Sequence, residues 1–494
     1  MNEEITEATE SPAPLNKKSA TKAFAWSVVV ATVVKLGLPF ISIFFITRVL
    51  GPDQLGIYYI VSMIVQFSEV IRDAGLTQTY MADPEMNPKK EGSFHFVSVF
   101  TGLIQTLVLI AIAPWMAQIF GLPELRYALP LISAISLING FSSIPRAKMM
   151  RAGQIVYATT TDLVGAVLGL TTAVIMVSSG SNFVALVFQM LVSASFSLIV
   201  NTVKYPVKSF NANIQAFRDV GRRAAAVLAA NGLNNLFLFS DQAVIGKFIG
   251  SLGSGYFGMA ANLAYKPADL MVFPLTRTIM VAFSQSAVDH VRLARIYARA
   301  LSVAILFVLP MYVVMALFAE PIIVTLVTSK WLGSVPVLVS MCIYLSFRVF
   351  GNISGYALVP AGKHYLTFYP WLGCLAITGT ALYFVIPQKQ LMPIVWSFTA
   401  GAVFVYGTLT ILGLIHCKPA PADMGRIKKA LAATALFAAF ATAISFLPMP
   451  GLPKLILVLV LGPVLHLLGI GTIFARKAFE YLSLSGVKRL YHEF

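Results

Sequence analysis

Four cations sit where cations are costly. Lys35, Arg72, Lys266 and Arg348 each interrupt a long apolar run. A charge at the centre of a bilayer costs about 2.5–3.5 kcal/mol on insertion scales, so it normally faces a partner or a hydrated cavity. Gathered around one cavity, these side chains would attract an anion. Arginine suits phosphate because its planar fork binds two oxygens, while lysine supplies a point charge. The same charges admit a second role, internal neutralisation. Glu69 lies three residues before Arg72 and Asp269 three after Lys266, so each pair shares a helix face. Lys35 and Arg348 have no such neighbour.

The acids within apolar runs are Glu69, Asp73, Asp241 and Asp269, with Asp162 nearer a run's end. Asn231, Asn234 and Asn235 precede Asp241 on one broad helical face and could line a wet cleft. A membrane carboxylate beside such a cleft could take up a proton or sodium ion and couple it to transport. The plainer role for Asp241 is to partner Lys247 or to make a helix-end hydrogen bond. Other chemistry is not suggested. The six histidines have no metal-ligand spacing, and Cys342, Cys374 and Cys417 form no CxxC. No phosphate loop, GxSxG or HExxH occurs, so neither a cofactor nor a metal is expected.

The elements that must position these groups are membrane helices. Of 494 residues, 58% are hydrophobic and only 11% charged, against about 25% charged in soluble domains. The net charge of +16 lies in short segments between apolar runs, which argues against nucleic acid as a partner. Runs of about 20 apolar residues span a bilayer as helices, which satisfy their own backbone. Fourteen are expected: 24–46, 55–80, 93–117, 127–147, 157–178, 183–204, 223–246, 254–283, 298–319, 334–360, 365–386, 391–416, 428–447 and 453–475. Alternate gaps and tails, taken with the adjoining run ends, hold 26 Lys and Arg on one side and six on the other. The positive-inside rule then puts both termini in the cytoplasm. Trp26, Trp115, Trp331, Trp371 and Trp396 fall near run ends, where an aromatic belt would lie.

One short turn occurs twice. Arg48, Gly51, Gly56 and Tyr58 in the first half answer Lys247, Gly250, Gly255 and an aromatic pair, Tyr256-Phe257, in the second. The cations and both glycines are each 199 residues apart. We read a duplicated six-helix unit, and internal repeats of this kind place a transporter's site between them. The expected organisation is a disordered tail over 1–22, bundles at 23–204 and 223–417, a linker at 205–222, and two extra helices with a tail over 418–494. The fold class is an all-α polytopic membrane protein in pseudo-two-fold arrangement.

Two hairpins resemble a known family. Leu50-Gly51-Pro52-Asp53-Gln54-Leu55-Gly56-Ile57-Tyr58, followed by Arg72-Asp73-Ala74-Gly75-Leu76, looks like the first hairpin of bacterial polysaccharide flippases. Ser240-Asp241, Ile245-Gly246-Lys247, Gly250 and Gly255-Tyr256 resemble that family's seventh and eighth helices. These are the O-antigen and exopolysaccharide translocases of the multidrug/oligosaccharidyl-lipid/polysaccharide superfamily. The resemblance implies a V-shaped pair of bundles with alternating access in the bacterial inner membrane. It implies an undecaprenyl-pyrophosphate-linked oligosaccharide as substrate, with Lys35, Arg72, Lys266 and Arg348 meeting pyrophosphate or acidic sugars. A polysaccharide polymerase and chain-length machinery are the protein partners it suggests. Fourteen helices also resemble the related lipid II flippases, where the last two form a groove for the lipid tail. Two alternatives stand beside it: a drug/cation antiporter, which would need acids rather than cations to dominate the cavity, and a membrane polymerase or glycosyltransferase, which would need an extended catalytic loop.

Overall fold

The computed structural model describes residues 45–73, 75–83, 85–207, 209–211, 234–286 and 289–474. Lys35, Asn231 and the side chain of Asp269 lie outside the described residues, as do the 1–22 tail and most of the 205–222 linker.

The described chain is helical throughout. The first half contains α1 (Pro52–Asp73), α2 (Leu76–Ala82), α3 (Pro88–Phe120), α4 (Leu125–Arg151), α5 (Ile155–Ser178) and α6 (Val184–Lys204). The second contains α7, described over 234–248, then α8 (Ser251–Gln285), α9 (His290–Leu317), α10 (Ala319–Leu326), α11 (Val335–Leu358), α12 (Phe368–Val385) and α13 (Leu391–Cys417). Two further helices close the chain, α14 (Pro421–Ser445) and α15 (Gly451–Phe474). Among the described residues, ten helices are long and apolar enough to cross a membrane. The protein is a multi-pass membrane protein. The expected run 55–80 is two helices, because Gly75 takes φ 89° between α1 and α2. That left-handed turn is open to glycine at no steric cost.

Large apolar side chains such as Trp115, Ile199 and Tyr383 stand exposed along the helices. In water such a surface would be a liability; against acyl chains it is the solvated face. Where helices meet each other instead, small residues let backbones approach. A Cβ on Gly102 of α3 would stand 2.7 Å from the Ser136 carbonyl of α4. Beside it, Ser98 Oγ donates to the Gly140 carbonyl at 2.8 Å. Helix α3 starts cleanly: Pro88 sits in its first turn, and the Asn87 side chain accepts from the backbone N–H of Lys89 and Lys90.

Helices α3 and α4, α5 and α6, and α4 and α6 pack in the first bundle, while α11 and α13 pair in the second beside α8 and α9. Helices α14 and α15 dock on α9 through Val314, Phe437, Ala441 and Val458. His466 is buried there, bonded through Nε2 to the Leu306 carbonyl at 2.7 Å. The start of the linker is pinned rather than loose: Phe210 packs edge-on against His95 and Phe96 of α3.

The tryptophan belt is corrected in part. Trp115 and Trp396 are exposed as a belt requires. Trp331 is fully buried and donates from Nε1 to the Thr47 carbonyl at 3.3 Å, joining the two halves. Trp371 packs against Phe237 and Tyr406 inside the second bundle. Their indoles fill space between helices, which run-end position does not reveal.

Candidate functional site

The duplicated turn meets itself. A Cβ on Gly56 would collide with the Ser251 carbonyl oxygen, and a Cβ on Gly255 with the Pro52 carbonyl oxygen. Exchanging every residue for the one 199 away converts the first contact into the second, which is the mark of two-fold pairing. Tyr59 and Gly258 are themselves 199 apart, and a Cβ on Gly258 would lie 2.5 Å from Tyr59 Cγ, so this contact sits on the axis. Ser251 Oγ donates to Asp53 Oδ1 at 2.5 Å across the same seam. Lys247 Nζ donates to the Ile119 carbonyl at the end of α3. A cation there offsets the partial negative charge of a helix C-terminus. Lys247 is thus engaged across the halves and not with Asp241.

The four turn glycines have different reasons to be glycine. Gly56 and Gly255 permit backbone approach, and Gly250 has φ 91°. Gly51 has open space around its missing Cβ and no positive φ.

Away from the turns, the polar groups fall into two clusters. In the first bundle Arg72 Nη2 lies 2.8 Å from Glu69 Oε2, with Nε at 3.2 Å. The Arg72 side chain is only 5% exposed. Its Nη1 and the other Glu69 oxygen are buried without a hydrogen-bond partner among the described residues. Asp73 accepts from Thr77 Oγ1 at 2.8 Å, bridging the break at Gly75. One turn before Arg72, Ser68 Oγ accepts from Gln105 Nε2 at 2.7 Å.

In the second bundle Arg348 of α11 is surrounded by tyrosines. Its guanidinium carbon stands 5.4 Å from the Tyr265 ring centre and 6.0 Å from that of Tyr344, within cation–π range. Nη1 lies 3.5 Å from the Tyr344 hydroxyl. Tyr406 stacks beyond Tyr344, with ring centres 6.2 Å apart. Asp241 of α7 lies within electrostatic range of this guanidinium and accepts from the Gln242 N–H at 2.6 Å. Asn234 and Asn235 stand half-buried on α7, about two turns before Asp241. Lys266 follows Tyr265 on α8 and is half-buried. The two clusters meet across the halves at Phe67 and Phe239, whose rings lie edge-on at 5.6 Å. Among the described residues, no group of three or more His, Cys, Asp or Glu could hold a metal ion.

Residues 45–336, more than half of the chain, match the family model described as polysaccharide biosynthesis protein. The chain belongs to that family. Within it, similarity extends to the succinoglycan biosynthesis transport protein ExoT of Rhizobium meliloti (strain 1021), 23% identical over 398 residues and covering 80% of each chain. The lipopolysaccharide biosynthesis protein WzxC of Escherichia coli (strain K12) is 20% identical over 356 residues, 69% of this chain and 70% of its own. Among solved structures, the lipid II flippase MurJ in an inward closed conformation superposes with a TM-score of 0.72 at 12% identity, covering 92% of this chain and 99% of that one. An inward-facing multidrug resistance MATE family transporter of the MOP superfamily gives 0.60 at 13% identity, covering 78% and 94%. At these identities the likeness establishes the fold, which is the one the resemblance implied.

This family member carries one group of residues that its sequence did not single out. Tyr265 of α8 and Tyr344 of α11 flank one guanidinium, and Tyr406 of α13 packs beyond Tyr344. Tyr344 stands four residues before Arg348 and Tyr265 adjoins Lys266; those spacings were the available signal.

Proposed function

We propose that this protein flips a lipid-linked oligosaccharide across the bacterial cytoplasmic membrane, the lipid being an undecaprenyl pyrophosphate. It acts as a transporter, with no bond made or broken. The observation that carries this is the two-fold pairing of the duplicated turn, in a chain of a polysaccharide biosynthesis family. A seam made of backbone contacts and small residues is a gate at which two bundles, 23–204 and 223–417, can part and close again as access alternates. The distribution of Lys and Arg supports cytoplasmic termini, so the paired turns face outward and the 205–222 link lies inside. Segment 418–494 is an appendage beside the second bundle. A polymerase and chain-length proteins would receive the product outside.

In this scheme Lys35, Arg72, Lys266 and Arg348 neutralise the diphosphate as it crosses. The Arg72 Nη1 with no described partner is the group best suited to an incoming oxygen. Glu69 holds Arg72 in place and Asp73 braces the break at Gly75, while Asp241 and Asp269 balance the charge of the second-bundle cations and Asn234, Asn235 and Asn231 hydrate the cleft. A drug/cation antiporter would want an unengaged membrane acid. Glu69 is paired with Arg72, Asp73 is bonded by Thr77 and Asp241 by the Gln242 N–H, which weighs against that alternative.

Single substitutions of Lys35, Arg72, Lys266 and Arg348 to Ala test the proposal. Surface polysaccharide should fall severalfold or more in each, with membrane insertion unchanged by immunoblot. Undiminished export in all four variants ends it.

A further inference from the structure

The first bundle contains a cavity that the cations do not touch. It measures about 350 Å³ and lies among α4, α5 and α6. Asn139, Ser142, Ser143, Gln189, Ser193 and Ser197 supply its polar lining. That density of hydroxyls and amides is unusual in a bundle solvated by acyl chains, where polar groups are costly unless bonded. Helix α6 can present its backbone and polar face here because α5 has glycines against it. A Cβ on Gly165 would meet the Ser193 carbonyl at 3.0 Å, and one on Gly169 would collide with the Gln189 carbonyl.

Some of this polarity is used. Asn201 Nδ2 donates to Ser142 Oγ at 3.1 Å, and Ser143 Oγ donates to the Asn139 carbonyl at 2.6 Å. Some is not: Gln189 Oε1, which belongs to a lining residue, is buried with no hydrogen-bond partner among the described residues. So is Asn201 Oδ1 beside Ser142. Buried acceptors of this kind persist when a donor reaches them. The charge at the site is already cancelled. Arg146 lines the cavity, and both its terminal nitrogens bond the Asp162 carboxylate, Nη2 at 2.7 Å. No net charge is therefore presented to a ligand, which disfavours a phosphate. A cation would want a carboxylate among its oxygen ligands, and Asp162 is committed.

We infer that this cavity binds an uncharged sugar unit, its hydroxyls donating to Gln189 and accepting from the serines. Its volume is at the lower end of the range for small-ligand pockets, about 300–1,000 Å³. This rests on the flippase reading for its physiological meaning: the unit would be part of the oligosaccharide, held while the cations hold the diphosphate. The assignment of the pocket itself does not need that reading.

The full-length protein in lipid nanodiscs, probed by saturation-transfer NMR with D-glucose, D-galactose and N-acetyl-D-glucosamine, tests it. At least one neutral sugar should receive transfer from wild type. The signal should fall at least fivefold in Gln189→Leu, which removes the orphan acceptor at similar volume, and in Ser193→Phe, which fills the cavity. Glucuronate should receive less than the neutral sugars. Absence of transfer for all three sugars, or transfer unchanged in a folded Gln189→Leu protein, overturns the proposal. Should Ser193→Phe fail to fold, Gln189→Leu alone decides. Sugar transfer with export unaffected by the cation variants would sink the flippase reading and leave the pocket standing.

Discussion

At the scale of single residues, the second bundle stakes most on Arg348. Its guanidinium lies by the Tyr265 and Tyr344 rings, with Tyr406 beyond, and within electrostatic range of Asp241. Losing one such partly buried charged group typically costs about 0.5–3 kcal/mol. Asp241→Ala and Arg348→Ala should each lower thermal stability in detergent by this order. The double variant Asp241→Ala with Arg348→Ala should lose less than the sum of these two singles, with a coupling of about 0.5–3 kcal/mol in the thermodynamic cycle. Additive losses would mean that the two groups do not interact. The Arg72–Glu69 pair was legible in the sequence, since three-residue spacing on a helix dictates it. The proximity of Arg348 to Asp241 was not: it spans a long stretch of chain, and no local pattern encodes which helices become neighbours.

At the scale of elements, glycine position decides whether α1 and α8 can touch. Gly56→Ala or Gly255→Ala drives a methyl group into a facing carbonyl oxygen, so the seam must part. We expect export to fall severalfold in each, with cysteine accessibility of the seam increased. Gly51→Ala meets open space and should stay within about 0.5 kcal/mol of wild type with export intact. A severe Gly51→Ala defect, or a silent Gly56→Ala, would contradict the seam. The repeat itself was readable because the same backbone approach, made twice, demands glycine at the same register. What the sequence could not distinguish was the reason for each glycine, since close approach, positive φ and simple tolerance all read as Gly. Apolar runs foretold the helices well, because length and hydropathy are what a bilayer selects. They missed the break at Gly75, where a single residue with φ 89° interrupts an otherwise continuous run. They also misplaced Trp331, which hydropathy treats as an interface residue and packing has turned inward.

At the scale of the molecule, the halves are joined near the paired turns by Gly56 and Gly255, by Ser251 and Asp53, by Lys247 on the Ile119 carbonyl and by Trp331 on the Thr47 carbonyl. Every one of these contacts must break for that end to open. Ser251 and Asp53 offer a lock, since their side chains already meet at 2.5 Å. The decisive measurement is translocation of a fluorescent undecaprenyl-pyrophosphate-linked oligosaccharide in proteoliposomes containing an Asp53→Cys, Ser251→Cys double variant. The account predicts transport in the reduced protein, none once the disulfide has formed, and recovery on reduction. Transport that continues at the same rate through the closed cross-link would contradict it.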